Sequence, residues 1–102
     1  MTKRERVIQA IFSAVDEVNE QLPKEEQLEK SIDTVLFGGS GKLDSLGLVT
    51  LIVATEQKIE EQFGVTITIA DEKAMSQKDS PLKTIGTLAD YISLLLEKNT
   101  NG

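Results

Sequence analysis

Apolar residues recur at helical spacing in three stretches of the chain, and polar segments with proline or glycine separate these stretches. In the first stretch, residues 3 to 22, the apolar positions stand three or four residues apart, which places them on one helical face. Pro23 is expected to end this helix, because proline has no N–H to donate to the preceding turn. The predicted buried positions are Val7, Ile8, Ile11, Phe12, Ala14, Val15, Val18 and Leu22.

The second and third stretches predict two further long helices. One runs from Ser45 to Phe63, and Gly64 is expected to stop it, because glycine favours the left-handed conformation at helix ends. Its predicted core positions are Leu48, Leu51, Ile52, Thr55, Ile59 and Phe63. The last long helix is predicted from Thr84 to about Lys98, with a disordered tail over residues 99–102. Its inward positions are Ile85, Leu88, Ile92, Leu95 and Leu96.

The segments between these helices carry weaker signals. Residues 23–44 form a long polar connection whose predicted anchors to the core are Ile32, Val35, Leu36 and Phe37. Residues 65–69 alternate like a strand, but no second strand pattern exists to pair with them, so an extended connector is predicted. A short helix is predicted near Asp71 to Met75. The sequence thus predicts one all-α domain over residues 1–98, a small four-helix bundle with three long helices, one short helix and a long first loop.

Composition and charge narrow the possible functions. Seventeen acidic and eleven basic residues give this chain of 102 residues a net charge of −6. Such a surface repels nucleic acid and anionic membranes, and it suits basic protein partners. The chain contains no cysteine and no histidine, which excludes disulfides, thiolate or imidazole metal ligands and a histidine proton shuttle. No apolar run approaches the length of a signal peptide or a membrane span, so a soluble cytoplasmic protein is expected.

The most informative chemistry lies where the glycine-rich segment 37–42 leads into the second helix. Asp44 and Ser45 stand at that point, and either side chain can cap the helix. A serine hydroxyl at a helix N-terminus lies beside unpaired N–H groups and the positive end of the helix dipole, both of which favour an attached phosphate. The arrangement suits a site that carries a group. No pair of carboxylates is placed by spacing in an evident cleft, so an enzyme is not expected.

These residues allow other interpretations. Ser45 can serve as a helix cap alone, and that role is compatible with attachment of a group. The segment Gly38-Gly39-Ser40-Gly41-Lys42 resembles a nucleotide-binding phosphate loop only superficially, because Leu36 stands where its first glycine is required and Leu43 where a hydroxyl binds magnesium. Acidic pairs are present, but none has the spacing of a calcium-binding loop.

The start of the second helix resembles the phosphopantetheine-attachment motif of acyl carrier proteins, in which a D-S-L core opens the second helix. The residues that carry the likeness are Leu43-Asp44-Ser45-Leu46-Gly47-Leu48-Val49. The resemblance covers roughly residues 3 to 98. It includes Phe63-Gly64-Val65 with Ile67, and the segment Thr84-Ile85-Gly86-Thr87-Leu88-Ala89-Asp90-Tyr91-Ile92, which is similar to the final helix of that family.

This resemblance implies a function for the chain. A phosphopantetheinyl transferase (holo-carrier synthase) would attach 4′-phosphopantetheine from coenzyme A to Ser45, which makes the chain a phosphoprotein. Asp44 would help to orient the metal-bound coenzyme during transfer. The thiol of the cofactor would hold acyl intermediates as thioesters in fatty-acid biosynthesis, related lipid metabolism, or specialised acyl or polyketide biosynthesis. The carrier would catalyse nothing itself and would serve, as a monomer, acyl-activating or acyl-transferring enzymes and a ketosynthase. An aminoacyl or D-alanyl cargo stays open.

The second helix also predicts a surface for partners. Leu46, Val53 and Glu60 are spaced by sevens and nearly superpose on the helical wheel, with Gln57 beside them and Glu56 nearer the core edge. In the resembled family, the matching positions contact partner enzymes. The alternatives are ordinary surface and, as a different class of protein, an unmodified acidic helical adaptor that binds proteins through this face.

The chain also departs from the family pattern. Gly47 and Thr50 stand where fatty-acid carriers usually have acidic residues, and the second helix is predicted to be about one turn longer than usual. The connector after Met75 has the additional residues Gln77-Lys78-Asp79-Ser80-Pro81. Because charge complementarity governs partner choice, these departures predict a specialised carrier served by dedicated enzymes.

Overall fold

The computed structural model of the protein describes residues 2–36, 43, 45–69 and 82–100. These residues contain three α-helices, α1 (Lys3–Asn19), α2 (Ser45–Phe63) and α3 (Ile85–Thr100), and a single 3₁₀ turn at Lys24–Glu26. No strand occurs in the described ranges, and residues 65–69 have no regular secondary structure, so the all-helical prediction is confirmed. The short helix predicted near Asp71 to Met75 lies outside the described residues, and the four-helix bundle therefore stays a prediction.

The core lies where α1 packs against α2 and α3. The helical faces predicted from the sequence are largely buried, but Ile8, Phe12, Leu22, Phe63 and Leu95 are only half-buried. The segments between the helices also contribute buried side chains: Leu28, Leu36, Leu43, Ile67, Ile69 and Leu82. The radius of gyration is 12.8 Å, close to the ~13 Å of a compact domain of this length.

Two basic residues near the start of α1 contact the other two helices. Arg6 of α1 donates to the Gln62 carbonyl at 3.1 Å, and its guanidinium lies 4.5 Å from the centroid of the Phe63 ring. The start of α1 therefore lies beside the end of α2, and the two helices are antiparallel. Arg4 forms an ion pair of 2.8 Å with Asp90 of α3. These contacts are exposed, and each adds little stability.

Helix α1 begins at a side-chain cap and ends three residues before the predicted end at Leu22. The Thr2 hydroxyl accepts the Glu5 N–H at 3.1 Å. After Asn19 the chain tightens, because the N–H groups of Gln21 and Leu22 donate to carbonyls three residues earlier. The Asn19 side chain then binds Leu28, with its oxygen accepting the Leu28 N–H at 2.8 Å and its amide donating to the Leu28 carbonyl at 3.0 Å. This pair of bonds fixes the start of the first loop against α1.

The first loop crosses the N-terminus of α3, where backbone carbonyls satisfy unpaired helix donors. Ile32 accepts the Gly86 N–H at 2.8 Å, and Thr34 accepts the Ile85 N–H at 3.1 Å. A Cβ added at Gly86 would lie 3.0 Å from the Ile32 oxygen, which explains the glycine. Because the Ile32 backbone makes this contact, its side chain is 44% exposed, and its prediction as a core anchor is wrong. Leu36 is buried and Val35 half-buried.

The ends of α3 differ slightly from the prediction. Thr84 precedes the first helical residue and is the N-cap of α3. Its hydroxyl accepts the Thr87 N–H at 3.1 Å, and the Thr87 hydroxyl accepts the Thr84 N–H at 3.0 Å. At the other end the backbone stays helical through Thr100, two residues into the segment predicted as a tail. No helix in the described ranges is long and apolar enough to cross a membrane.

Gly64 ends α2 as predicted. Its φ is +68°, in the left-handed region, and its N–H donates to the Glu60 carbonyl at 2.9 Å. A Cβ is disfavoured in this conformation, so Gly64→Ala should lower the free energy of unfolding by about 1 kcal/mol. Urea denaturation measures the change. Gly64→Asn is the matched variant, since asparagine tolerates this conformation, and it should lose less. Equal losses for the two variants would contradict this explanation.

Candidate functional site

The chain passes from the core to the surface at the start of α2. Leu43 is buried, with 8% of its surface exposed, and Ser45 is the first residue of the helix. Leu46, the next residue, is 76% exposed. The first turn of α2 therefore lies at the protein surface, where another protein can reach it. Asp44 and the glycine-rich residues 37–42 lie outside the described residues, and the role of Asp44 stays a prediction.

The electrostatics at this helix start favour an anion. The first N–H groups of an α-helix have no partner within the helix, and the helix dipole adds partial positive charge at that end. The first turn of α2 contains no acidic residue that would neutralise it. A phosphate joined to residue 45 would therefore meet a favourable environment.

An apolar groove opens beside the same turn. It lies between the end of α1 and the start of α2 and has a volume of about 220 Å³. Its walls are mainly the side chains of Val18, Leu22, Leu43 and Leu46, with Thr50 at one side. The start of α2 thus combines an anion-favouring helix end with adjacent apolar surface.

The predicted partner face of α2 is accessible. Val53 is 44% exposed, and Gln57 and Glu60 are exposed further along the same side. Val49 is also exposed, at 37%, and extends this apolar surface. The sequence analysis did not place Val49 on the surface, because on the helical wheel it lies between Val53 and the predicted core position Phe63.

Glu56 has a contact within the chain that the sequence did not predict. Its side chain is half-buried, and its carboxylate accepts the Ile69 N–H at 2.6 Å. Ile69 is fully buried, so this bond holds the end of the connector against α2. A role for Glu56 in partner binding stays a prediction, and the observed contact is structural. Helical periodicity could not predict this bond, because it joins residues thirteen positions apart.

An ion pair links α1 and α2. The Lys58 ammonium lies 3.1 Å from the Glu17 carboxylate and 3.9 Å from that of Glu61. The hydrogen bond and the charge of Glu17 raise the pKa of Lys58 above its usual value. This lysine therefore stays protonated throughout the neutral range. No group of three or more acidic side chains that could hold a metal ion occurs in the described ranges.

No protein-family model, curated protein or solved structure matches this chain. The motif around Ser45 and the geometry of the helix that it begins are therefore the features that bear on function.

Proposed function

We propose that the protein is an acyl carrier protein that is modified with 4′-phosphopantetheine at Ser45. The observation that supports this most is the position of the D-S-L motif. Ser45 begins α2 directly between buried Leu43 and exposed Leu46, so the motif stands at a surface helix start. A carrier needs a hydroxyl that a modifying enzyme can reach, and it needs no base of its own, because the modifying enzyme supplies one.

The surroundings of Ser45 fit the cofactor. The positive end of the α2 dipole suits its phosphate, and no acidic residue in the first turn of the helix opposes it. The bound group would supply a terminal thiol that holds acyl groups as thioesters. The protein would anchor this group and present it, while Asp44 would help to orient the coenzyme for the transferase.

The partners of this carrier would be the phosphopantetheinyl transferase, acyl-activating or acyl-transferring enzymes and a ketosynthase. The exposed side chains of Leu46 and Val53 would form the apolar part of the contact, and Glu60 would meet a basic patch. The cargo is an acyl intermediate of fatty-acid or specialised biosynthesis, and an aminoacyl or D-alanyl group is the alternative.

Intact-mass spectrometry tests the proposal. Incubation of the purified chain with coenzyme A and a broad-specificity phosphopantetheinyl transferase should add the mass of one phosphopantetheine. A known acyl carrier protein, treated in parallel, shows that the transferase is active. If the mass of this chain stays unchanged while the known carrier is loaded, the proposal fails. The exposed apolar and acidic face of α2 would then favour the alternative, an unmodified helical adaptor.

The partner face gives a separate prediction. Val53→Lys should weaken binding of the transferase by about tenfold, because it places a long charged side chain in an apolar contact. Helical content should not change, since Val53 is 44% exposed. Surface plasmon resonance and circular dichroism measure the two quantities. Leu94→Lys on α3 is the matched control, because Leu94 is exposed to a similar extent, at 48%. Loss of fold in Val53→Lys would show that Val53 belongs to the core.

A further inference from the structure

A groove between α1 and α2 continues beyond the apolar cavity at the start of α2. A second cavity of about 300 Å³ adjoins it, and the two share Val18, Gln21 and Thr50 as walls. Ala54 forms part of the floor of the second cavity. Thr50 and Ala54 have small side chains on the side of α2 that faces α1, and this leaves the space between the two helices open. We call the two cavities together the α1–α2 groove.

The α1–α2 groove is apolar at one end and has acidic residues at the other. The end near the start of α2 is apolar, with Leu22, Leu43 and Leu46 in its walls. The other cavity has Glu17 and Glu20 of the α1 side at its rim. An occupant that fits both parts must be apolar on one side and carry positive charge near the acidic rim.

Helix stability does not explain the acidic rim. Carboxylates near a helix C-terminus interact unfavourably with the helix dipole, by about 0.3–1 kcal/mol each. The last turn of α1 nevertheless contains no basic residue, and Glu20 directly follows the helix as its C-cap. Lys58 compensates Glu17, but no ion pair to Glu20 occurs among the described residues. Glu20 is exposed and is therefore available to a positive group on another molecule.

We infer that the α1–α2 groove binds a basic amphipathic helix of a partner protein. Apolar side chains of that helix would fill the space between Val18 and Leu46, and a lysine or arginine of the helix would pair with Glu20. The net charge of −6 would accelerate the encounter with such a helix. This surface lies on the α1 side of α2 and shares Leu46 with the partner face, but it does not include Val53, Gln57 or Glu60. It requires no modification of Ser45.

Nuclear magnetic resonance with the unmodified chain tests this inference. The probe is a designed helical peptide of about 18 residues with leucine at positions i, i+3, i+4 and i+7 and lysine elsewhere. Titration should shift the backbone amide signals of Val18, Gln21, Thr50 and Ala54. A peptide with glutamate in place of lysine should not bind. Shifts confined to Val53, Gln57 and Glu60, or equal binding of the two peptides, would overturn the inference.

Matched variants test separately how far peptide binding depends on the charge of the rim and on the open shape of the groove. Glu20→Lys should weaken peptide binding by about fivefold, whereas Glu97→Lys, which makes the same charge change at the exposed end of α3, should change it less than twofold. Thr50→Tyr should weaken binding by about threefold or more, because a bulky neutral side chain would cover the groove. Its control is Gln9→Tyr on the exposed side of α1. Wild-type binding by both Glu20→Lys and Thr50→Tyr would overturn the inference.

Discussion

Replacing Ser45 with alanine should abolish loading with phosphopantetheine completely. The proposed modification forms a phosphodiester with the hydroxyl of this residue, and alanine has no oxygen to accept the phosphoryl group. The fold should persist, because Ser45 is the first residue of α2 and alanine is a good helix former. Loss of a helix cap would cost about 1 kcal/mol. Intact mass after incubation with coenzyme A and transferase measures loading, and circular dichroism measures the fold.

Two control variants separate attachment from capping at residue 45. Ser45→Asp retains a side-chain oxygen that can cap the helix but offers no hydroxyl, so it should keep the stability of the wild type and still fail to load. Ser13→Ala removes a hydroxyl from α1 and should load normally. Addition of the cofactor mass to Ser45→Ala would place the attachment at another residue and would contradict the proposed role of Ser45.

The sequence was sufficient to predict the helices because each depends on local chemistry. The bounds of α2 were predicted correctly, since its first residue, Ser45, belongs to a polar D-S pair and Gly64 adopts the left-handed conformation that ends it. The buried side of α2 follows from its helical spacing, and the same spacing predicts that Leu46 and Val53 are exposed. The position of the candidate site at a surface helix start could therefore be predicted from residues close together in the chain.

The contacts that sequence analysis missed join distant residues. Ile32 is apolar and was therefore predicted to be a core anchor. Its carbonyl accepts the Gly86 N–H, however, and this turns the side chain toward solvent. The bond between Glu56 and Ile69 likewise depends on how the connector returns to α2. Hydrophobic periodicity describes which side of an element is buried, but it does not specify which backbone groups of a loop meet a helix. The α1–α2 groove was missed for the same reason, because two helices form it together.

Of the substitutions proposed for this protein, Asn19→Ala is expected to lower stability the most, because Asn19 makes one of these long-range contacts. The Asn19 side chain satisfies both the N–H and the carbonyl of Leu28, a residue whose side chain is buried. Asn19→Ala leaves both part-buried backbone groups without this partner, so the free energy of unfolding should fall by about 2–4 kcal/mol. The melting temperature should fall by about 10–20 °C for a domain of this size. Differential scanning calorimetry and urea denaturation measure the two changes.

Two further variants test whether the paired bonds of Asn19 cause this loss. Gln9→Ala removes an exposed amide from the same helix and should change stability by less than about 0.5 kcal/mol. Asn19→Asp keeps an acceptor for the Leu28 N–H, but its ionised carboxylate would face the Leu28 carbonyl and the negative end of α1. It should be destabilised at neutral pH and recover in acid, where the protonated carboxyl can donate to that carbonyl. If Asn19→Ala is as stable as Gln9→Ala, the two bonds do not hold the first loop, and its position must depend on its other contacts, such as the backbone bonds to α3 and the burial of Leu28 and Leu36.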